Sequence, residues 1–315
     1  MSVFSTLLIV APVFALIFAG WLVRRLGVLG PQATTEINRF VVYLALPALL
    51  FDIVAHVSWA EIWQPGFIAA FGLGAALVFA LTCALGRRAR RPLADAAIDG
   101  LNAAYANTGF IGFPLVLVAL GREALAPTLI ASIITVCAIF AVAIVLIEID
   151  LQTESSRGRL ALKVGKSLAR NPLLVSPLLG AVFPLSGVAV PHSVDSFLKL
   201  LGGAASPCAL VALGLFLAAE RKPSTAAAGK GHAAVLVTLK LLLQPLLTWL
   251  LARFVFGLPA ALTHAAVLLA ALPTGTGPFM LAELYRRPAQ VTSRVILVST
   301  LLSLLTVSGY LMLVG

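Results

Sequence analysis

The stretch Asn107-Thr108-Gly109-Phe110-Ile111-Gly112-Phe113-Pro114 places glycines, a proline and polar side chains inside an apolar run of membrane-spanning length. About 20 apolar residues cross a bilayer as a helix. A break at mid-depth exposes backbone N–H and C=O groups that hydrocarbon cannot satisfy, so broken helices occur where the backbone lines a protected cavity. The stretch therefore predicts a transmembrane helix that is broken for a functional reason.

The composition predicts a polytopic membrane protein. The chain has 315 residues, of which 61% are hydrophobic and 11% charged, and its mean hydropathy is +1.06. This leaves too little polar surface to coat a soluble globule. The net charge of +10 follows the topology described below, which argues against a nucleic-acid partner.

Ten apolar runs have the length of membrane spans and are bounded by charges or by Pro and Gly clusters. They fall at about 3–23, 37–57, 66–86, 95–121, 127–149, 171–189, 197–219, 233–256, 262–285 and 291–314. This predicts an all-α integral membrane protein with ten transmembrane helices.

Basic residues concentrate in the loops after the odd-numbered spans, including Arg221 and Lys222 after span 7. The opposite side holds only Arg122, Lys199 and Arg253. Because cytoplasmic loops carry an excess of Lys and Arg, the pattern places both termini outside the cytoplasm. We expect a multi-pass protein of the plasma membrane, such as a bacterial inner membrane.

The polar segment 151–170 predicts a cytoplasmic linker between two halves, 1–150 and 171–315, of five spans each. Two successive halves with an odd number of spans enter the membrane from opposite sides, which is the geometry of an inverted repeat. Leu46-Pro47-Ala48 in span 2 corresponds to Ser206-Pro207-Cys208 in span 7, an offset of about 160 residues. At a similar offset, the break in span 4 has a partner in span 9 at Pro273-Thr274-Gly275-Thr276-Gly277-Pro278.

The two breaks are the candidate binding site. Half-helices that begin after Pro114 and Pro278 would direct free N–H groups and partial positive charge at the point where the breaks cross. Such helix ends suit an anion. The candidate substrate-binding residues are Asn107, Thr108, Gly109, Gly112, Pro114, Pro273, Thr274, Gly275, Thr276, Gly277 and Pro278. The competing interpretation is two kinked helices whose small residues only permit close packing.

Three ionisable residues within the spans are further candidates. Lys240 lies before Pro245 in span 8, where it would either join the anion site or extend to the interface. Asp52 in span 2 and Glu283 in span 9 are candidates for ion coupling. The alternatives are that Asp52 faces water at the extracellular mouth and that Glu283 pairs with Arg286 or Arg287.

No cofactor or metal site is expected. Cys83, Cys137 and Cys208 lie far apart in apolar segments and have no metal-ligand spacing. The four histidines lie near span ends and form no apparent ligand set: His56, His192, His232 and His264. No nucleophile and base pair is readable, so an enzyme is disfavoured.

The break motifs resemble those of the auxin efflux carrier family. Asn107 to Leu115 is similar to the fourth-helix motif of that family, and Ala271 to Tyr285 is similar to the ninth-helix segment of the plant PIN-FORMED carriers. The resemblance implies a ten-helix secondary carrier with crossed helices 4 and 9 and elevator-type alternating access. It implies a scaffold of helices 1, 2, 6 and 7, a transport domain of helices 3–5 and 8–10, a homodimer, and export or exchange of a small organic anion, such as auxin or a malonate-type dicarboxylate.

This chain departs from the family pattern in three places. Its linker is short where many plant members carry a long hydrophilic loop, so control by phosphorylation of such a loop is not expected. The second break has Thr274 to Gly277 where many bacterial members have an asparagine, and Glu283 stands where the plant pattern has lysine. The substrate of known family members is therefore not assigned to this protein.

Three other functions remain open. A sodium-coupled organic-anion symporter of the bile-acid transporter type also has crossed broken helices, and a channel could share them. A membrane-embedded enzyme is the third.

Overall fold

In a computed structural model, the regular secondary structure is helical and includes no β-strand in residues 3–58, 63–152, 157–219 and 229–314, the part of the chain that the structure describes. Linker residues 153–156 and the predicted cytoplasmic residues Arg221 and Lys222 lie outside it. The helices are α1 Val3–Arg25, α2 Ala33–Ala55, α3 Pro65–Arg88, α4 Leu93–Ala104, α5 Thr108–Leu120, α6 Arg122–Leu151, α7 Arg157–Leu168, α8 Pro172–Ser186, α9 His192–Ala218, α10 Lys230–Val255, α11 Ala260–Ala270, α12 Gly277–Leu284 and α13 Gln290–Val314.

Within these described residues, six helices are long and apolar enough to cross a membrane: α2, α3, α6, α9, α10 and α13. A seventh span results if the bent pair formed by α7 and α8, which meet at 67°, is counted as one. The helices α5 and α11 are apolar but shorter, because each is one half of a predicted span that the structure divides in two.

The first break lies upstream of the predicted interval. Residues 105–107 separate α4 from α5, whereas residues 108–114 are already helical. Asn107 begins α5 as its N-cap, with its side-chain Oδ1 accepting from the N–H of Phe110 at 3.4 Å. Pro114 does not break the helix because it closely follows a π-helical turn, Thr108–Gly112, and lies in the first turn of the α-helical segment Phe113–Leu120. The second break, residues 271–276, agrees more closely with its predicted interval.

The helices pack in two groups. In the first, α1 packs along α9, and α2 packs against both α8 and α9. In the second, α3 packs on α4 and α10, α4 also contacts α6, and α10 contacts α11 and α13. Close backbone approach holds the first group together, since a Cβ added to Gly214 of α9 would lie 2.0 Å from the carbonyl oxygen of Ile17 in α1. Both breaks belong to the second group.

Candidate anion-binding site

The two breaks meet and are hydrogen-bonded to each other. Ala106 and Thr274 form an isolated antiparallel β-bridge. The N–H of Asn107 donates to Pro273 O at 2.9 Å, and the N–H of Gly275 donates to Tyr105 O at 3.0 Å. Unwound backbone that would be unsatisfied in hydrocarbon is thus paired with the other break.

A cavity of about 310 Å³ lies against this bridge. Its wall combines the two breaks with residues of α2, α6 and α9, so it lies between the two packing groups. The residues of the breaks and their adjoining helix ends in the wall are Tyr105, Ala106, Asn107, Thr108, Gly109, Phe110, Phe113, Gly275, Thr276, Gly277 and Met280. The remaining wall is mostly apolar, with Leu46, Leu49 and Ile53 from α2. A volume of this size is in the range of small-molecule sites.

Six of the predicted binding residues line the cavity: Asn107, Thr108, Gly109, Gly275, Thr276 and Gly277. The others lie outside its wall: Gly112, Pro114, Pro273, Thr274, Pro278 and Lys240. The prolines and Gly112 shape the backbone around the breaks. Thr274 is fully buried and faces away from the cavity, donating from Oγ1 to Asn102 O at 2.7 Å.

The cavity offers polar groups without charge. The wall contains the side chains of Asn107, Ser132, Ser206 and Thr276, and none of its described residues is Lys, Arg, His, Asp or Glu. The hydroxyl oxygen of Thr108 is buried and has no hydrogen-bond partner in the described chain. Such a group suits a ligand, because an unpaired buried hydroxyl is costly.

Two backbone donors add to these side chains. Gly109 and Gly277 lie in the first turns of α5 and α12, and no acceptor is found for their N–H groups in the described chain. The first N–H groups of a helix have no partner within the helix and carry partial positive charge. The wall therefore includes two backbone N–H groups at helix N-termini in addition to its neutral side chains.

Lys240 lies outside the cavity wall, and its burial contradicts the expectation that it extends to the interface. Its side chain is completely buried, and Nζ donates to Ala270 O, the last residue of α11, at 2.7 Å. The carbonyl of Ala270 is available to this donor because the N–H of Thr274, four residues later, donates to Ser299 Oγ instead.

Asp52 belongs to a polar group between α2 and α9. His56 contacts Asp52 Oδ1 through Nδ1 at 3.0 Å and Asp195 Oδ1 through Nε2 at 3.1 Å. Lys199 Nζ also pairs with Asp195, at 2.9 Å. The sequence missed this grouping of His56 with two carboxylates, although Asp52 and His56 are one helical turn apart. Asp52 is not in the wall of the cavity at the breaks.

Glu283 lies beside a separate cavity of about 570 Å³ that also contacts Arg286 and Arg287. The Nε of Arg287 donates to Asp95 Oδ1 at 2.7 Å. This hydrogen bond, together with the charge of the carboxylate, raises the pKa of Arg287 above its usual value. It joins the start of α4 to the loop that follows α12.

Tyr105 is the main wall residue that the sequence did not predict. Its ring packs over the second break so closely that a Cβ added to Gly277 would lie 2.6 Å from Tyr105 Cζ. The two glycines of the second break, Gly275 and Gly277, thus leave room for an aromatic ring from the first break. The sequence signal for this contact is weak: it consists of an aromatic residue, Tyr105, next to the first break and of two glycines, Gly275 and Gly277, in the second break.

These features define a polytopic helical membrane protein built around two broken helices. A family model described as "Membrane transport protein" matches residues 6–311, so the chain belongs to that family, which is the auxin efflux carrier family indicated by the break motifs. The family is one of transporters rather than enzymes.

The chain is similar to several proteins of this family. It is 34% identical to a Rhizobium meliloti (strain 1021) protein named "Putative malonate transporter", over 97% of this chain and 95% of the relative. It is 27% identical to an "Uncharacterized transporter" of Methanothermobacter thermautotrophicus, over 94% of each chain. It is 33% identical to "Auxin efflux carrier component 3a" of Oryza sativa subsp. japonica, over 48% of this chain and 25% of that carrier.

Proposed function

We propose that this transport protein is a secondary carrier of a small organic anion, which binds in the cavity where the two breaks meet. The observation that carries the proposal is the bridge between Ala106 and Thr274, beside a cavity with unpaired polar groups. A pair of merely kinked helices would not need unwound backbone facing a cavity.

Ten spans in two inverted repeats are part of the proposal. The six long apolar helices and the bent pair are accompanied by the 23-residue α1 and by two broken pairs, α4 with α5 and α11 with α12. Each half then contains one broken span at its fourth position. Antiparallel pairing of the breaks is what opposite insertion of the halves would produce.

The proposed movement is elevator-type. We propose that spans 1, 2, 6 and 7 form a scaffold and that spans 3–5 and 8–10 form a transport domain, as the family resemblance implies. The packing of the helices in two groups supports this division. Because the cavity lies between the groups, sliding one group along the other would change which side the anion faces. The proposal includes a plasma-membrane location with both termini extracytoplasmic and a homodimer.

The cavity favours an anion with one negative charge and an apolar body. Neutral donors and helix ends can stabilise one carboxylate, but a second charge in an apolar wall would lack a partner. Malonate, which appears in the name of the Rhizobium protein, has two carboxylates and is therefore the informative comparison.

Uptake into proteoliposomes of the purified full-length protein tests this function. Hexanoate and adipate form a matched pair, since both have six carbons and adipate replaces a methyl group by a second carboxylate. Saturable hexanoate exchange, inhibited more strongly by unlabelled hexanoate than by adipate or malonate, is the expected result. Preferential exchange of adipate or malonate would overturn the single-charge assignment, and exchange of no carboxylate would overturn the carrier assignment.

The same preparation separates the alternatives. Saturable counterflow distinguishes a carrier from a channel. Replacing sodium by potassium on both sides tests sodium coupling, and a dependence on sodium would favour the symporter.

A further inference from the structure

Two buried polar side chains of α10 contact both broken helices. Lys240 and Gln244 are fully buried and lie about one helical turn apart on α10. Lys240 Nζ donates to Ala270 O at 2.7 Å, and Gln244 Nε2 donates to Ala104 O at 3.1 Å.

The two acceptors occupy equivalent positions. Ala104 is the last residue of α4, and Ala270 is the last residue of α11. In a continuous helix, each carbonyl would accept from the N–H four residues later. At the breaks those donors are used elsewhere, because Thr108 N donates to Ala106 O and Thr274 N donates to Ser299 Oγ.

The side chains of α10 therefore replace the two helical hydrogen bonds that the breaks remove. The replacement also suits the charge of the helix ends. A helix C-terminus carries partial negative charge, which the buried Nζ donor of Lys240 complements.

Neither side chain lines the cavity, so any effect on the substrate must pass through the backbone. Ala104 precedes the wall residues Tyr105 to Phe110, and Ala270 precedes the second break by one residue. Because α10 contacts both helix ends, it links the positions of the two breaks that form the Ala106 to Thr274 bridge.

We propose that Lys240 and Gln244 are positioning residues of the anion site, each fixing one break through the last carbonyl of its first half-helix. The fixed arrangement would keep the cavity donors in place while the second packing group moves as a unit. Only the transport arm of the test below depends on the proposed function.

Hydrogen exchange measured by mass spectrometry on the full-length protein in nanodiscs is the primary test. The variants are Lys240→Met and Gln244→Met, which keep an unbranched side chain of similar length and remove the donor. We expect peptides covering 271–277 to exchange about tenfold faster in Lys240→Met, and peptides covering 105–112 to do so in Gln244→Met.

Thr248→Val is the matched control. Thr248 is fully buried one turn beyond Gln244, but it faces α3, where a Cβ added to Gly74 would lie 2.4 Å from its Oγ1. This variant should leave exchange at both breaks unchanged. If Lys240→Met does not fold, Gln244→Met alone still tests the proposal, because it removes the donor at one break and leaves Lys240 in place.

The transport arm uses hexanoate in proteoliposomes. In Lys240→Met and Gln244→Met, the displaced donors of the cavity wall should raise the KM for hexanoate by about tenfold, with a smaller change in turnover. A variant that only loses folded protein would instead show a lower maximal rate at an unchanged KM. Unchanged exchange at both breaks, or an equal increase in all helices, would overturn the proposal. If no carboxylate is transported by the native protein, the exchange result still decides it.

Discussion

The N–H of Asn107 donates to the carbonyl oxygen of Pro273 at 2.9 Å, which joins the N-cap residue of α5 to the opposite break. The two residues are far apart in sequence and lie in different halves of the chain. A displacement of one break therefore displaces the other, so the cavity wall formed by both behaves as one structural unit.

Asn107→Ala is expected to reduce carboxylate transport at least tenfold, chiefly by raising KM. The side chain lies in the cavity wall and also accepts from Phe110 N, while its backbone bond to Pro273 would remain. Loss of an N-cap costs about 1 kcal/mol, so most of the protein should stay folded. Proteoliposome kinetics and thermal unfolding measure the two effects.

Asn171→Ala is its control. Asn171 is also an N-cap asparagine, accepting from Leu173 N at 3.0 Å, but it is not in the wall of this cavity. A similar loss of stability with an unchanged KM is expected. An equal rise of KM in both variants would show that the effect of Asn107 comes from general destabilisation.

Gly277→Ala should destabilise the protein, whereas Gly109→Ala should not. A Cβ at position 277 would lie 2.6 Å from Tyr105 Cζ, and one at position 109 would meet nothing within 4 Å. Overpacking of this kind costs about 1–3 kcal/mol. Thermal unfolding in detergent should show a lower melting temperature for Gly277→Ala alone, and equal melting temperatures would contradict the close packing of Tyr105 on the second break.

The family, the helical membrane character and the presence of two breaks could be predicted from the sequence. Glycine, proline and threonine inside apolar runs are strong local signals, because they disturb a helix wherever it packs. The exact position of the first break was predicted less well. The prediction placed the end of the break at Pro114. In the structure the break ends at Asn107, the N-cap, and Pro114 lies inside the helix that follows.

The contacts between segments could not be predicted in the same way. Gln244 is an ordinary polar residue by its sequence, and its role depends on the position of Ala104 in another helix. Likewise, Lys240 was identified as exceptional because it is charged within a span, but its partner is a backbone carbonyl that carries no sequence signature. Tertiary structure alone identifies such acceptors.

Gly214→Ala should destabilise the packing of α1 on α9. The added Cβ would lie 2.0 Å from Ile17 O, a backbone atom that cannot move without shifting the whole helix. Gly309→Ala is the matched control, because Gly309 is also helical and its Cβ would meet nothing within 4 Å.

We expect a clear fall in melting temperature for Gly214→Ala and no fall for Gly309→Ala, which gains helix propensity worth up to about 1 kcal/mol. Two variants with the same loss of stability would show that any alanine in these helices is harmful. Hexanoate KM should be unchanged in the folded fraction of both, because neither residue lines the cavity.

Exchanging the charges of Asp95 and Arg287 tests whether their contact joins the two broken spans at a second level. Arg287 Nε donates to Asp95 Oδ1 at 2.7 Å, and the two side chains are 25% and 15% exposed, respectively. Asp95→Arg and Arg287→Asp should each lower the melting temperature and the rate of hexanoate exchange, because each places two like charges together.

The double variant should recover part of both losses, since it restores an opposite pair with altered geometry. A coupling energy of about 0.5–1.5 kcal/mol from a double-mutant cycle is expected for a partly buried pair. If the losses of stability in the two single variants simply add in the double variant, the two residues act independently. The contact between Asp95 and Arg287 would then not join the broken spans, and the breaks alone would hold them together.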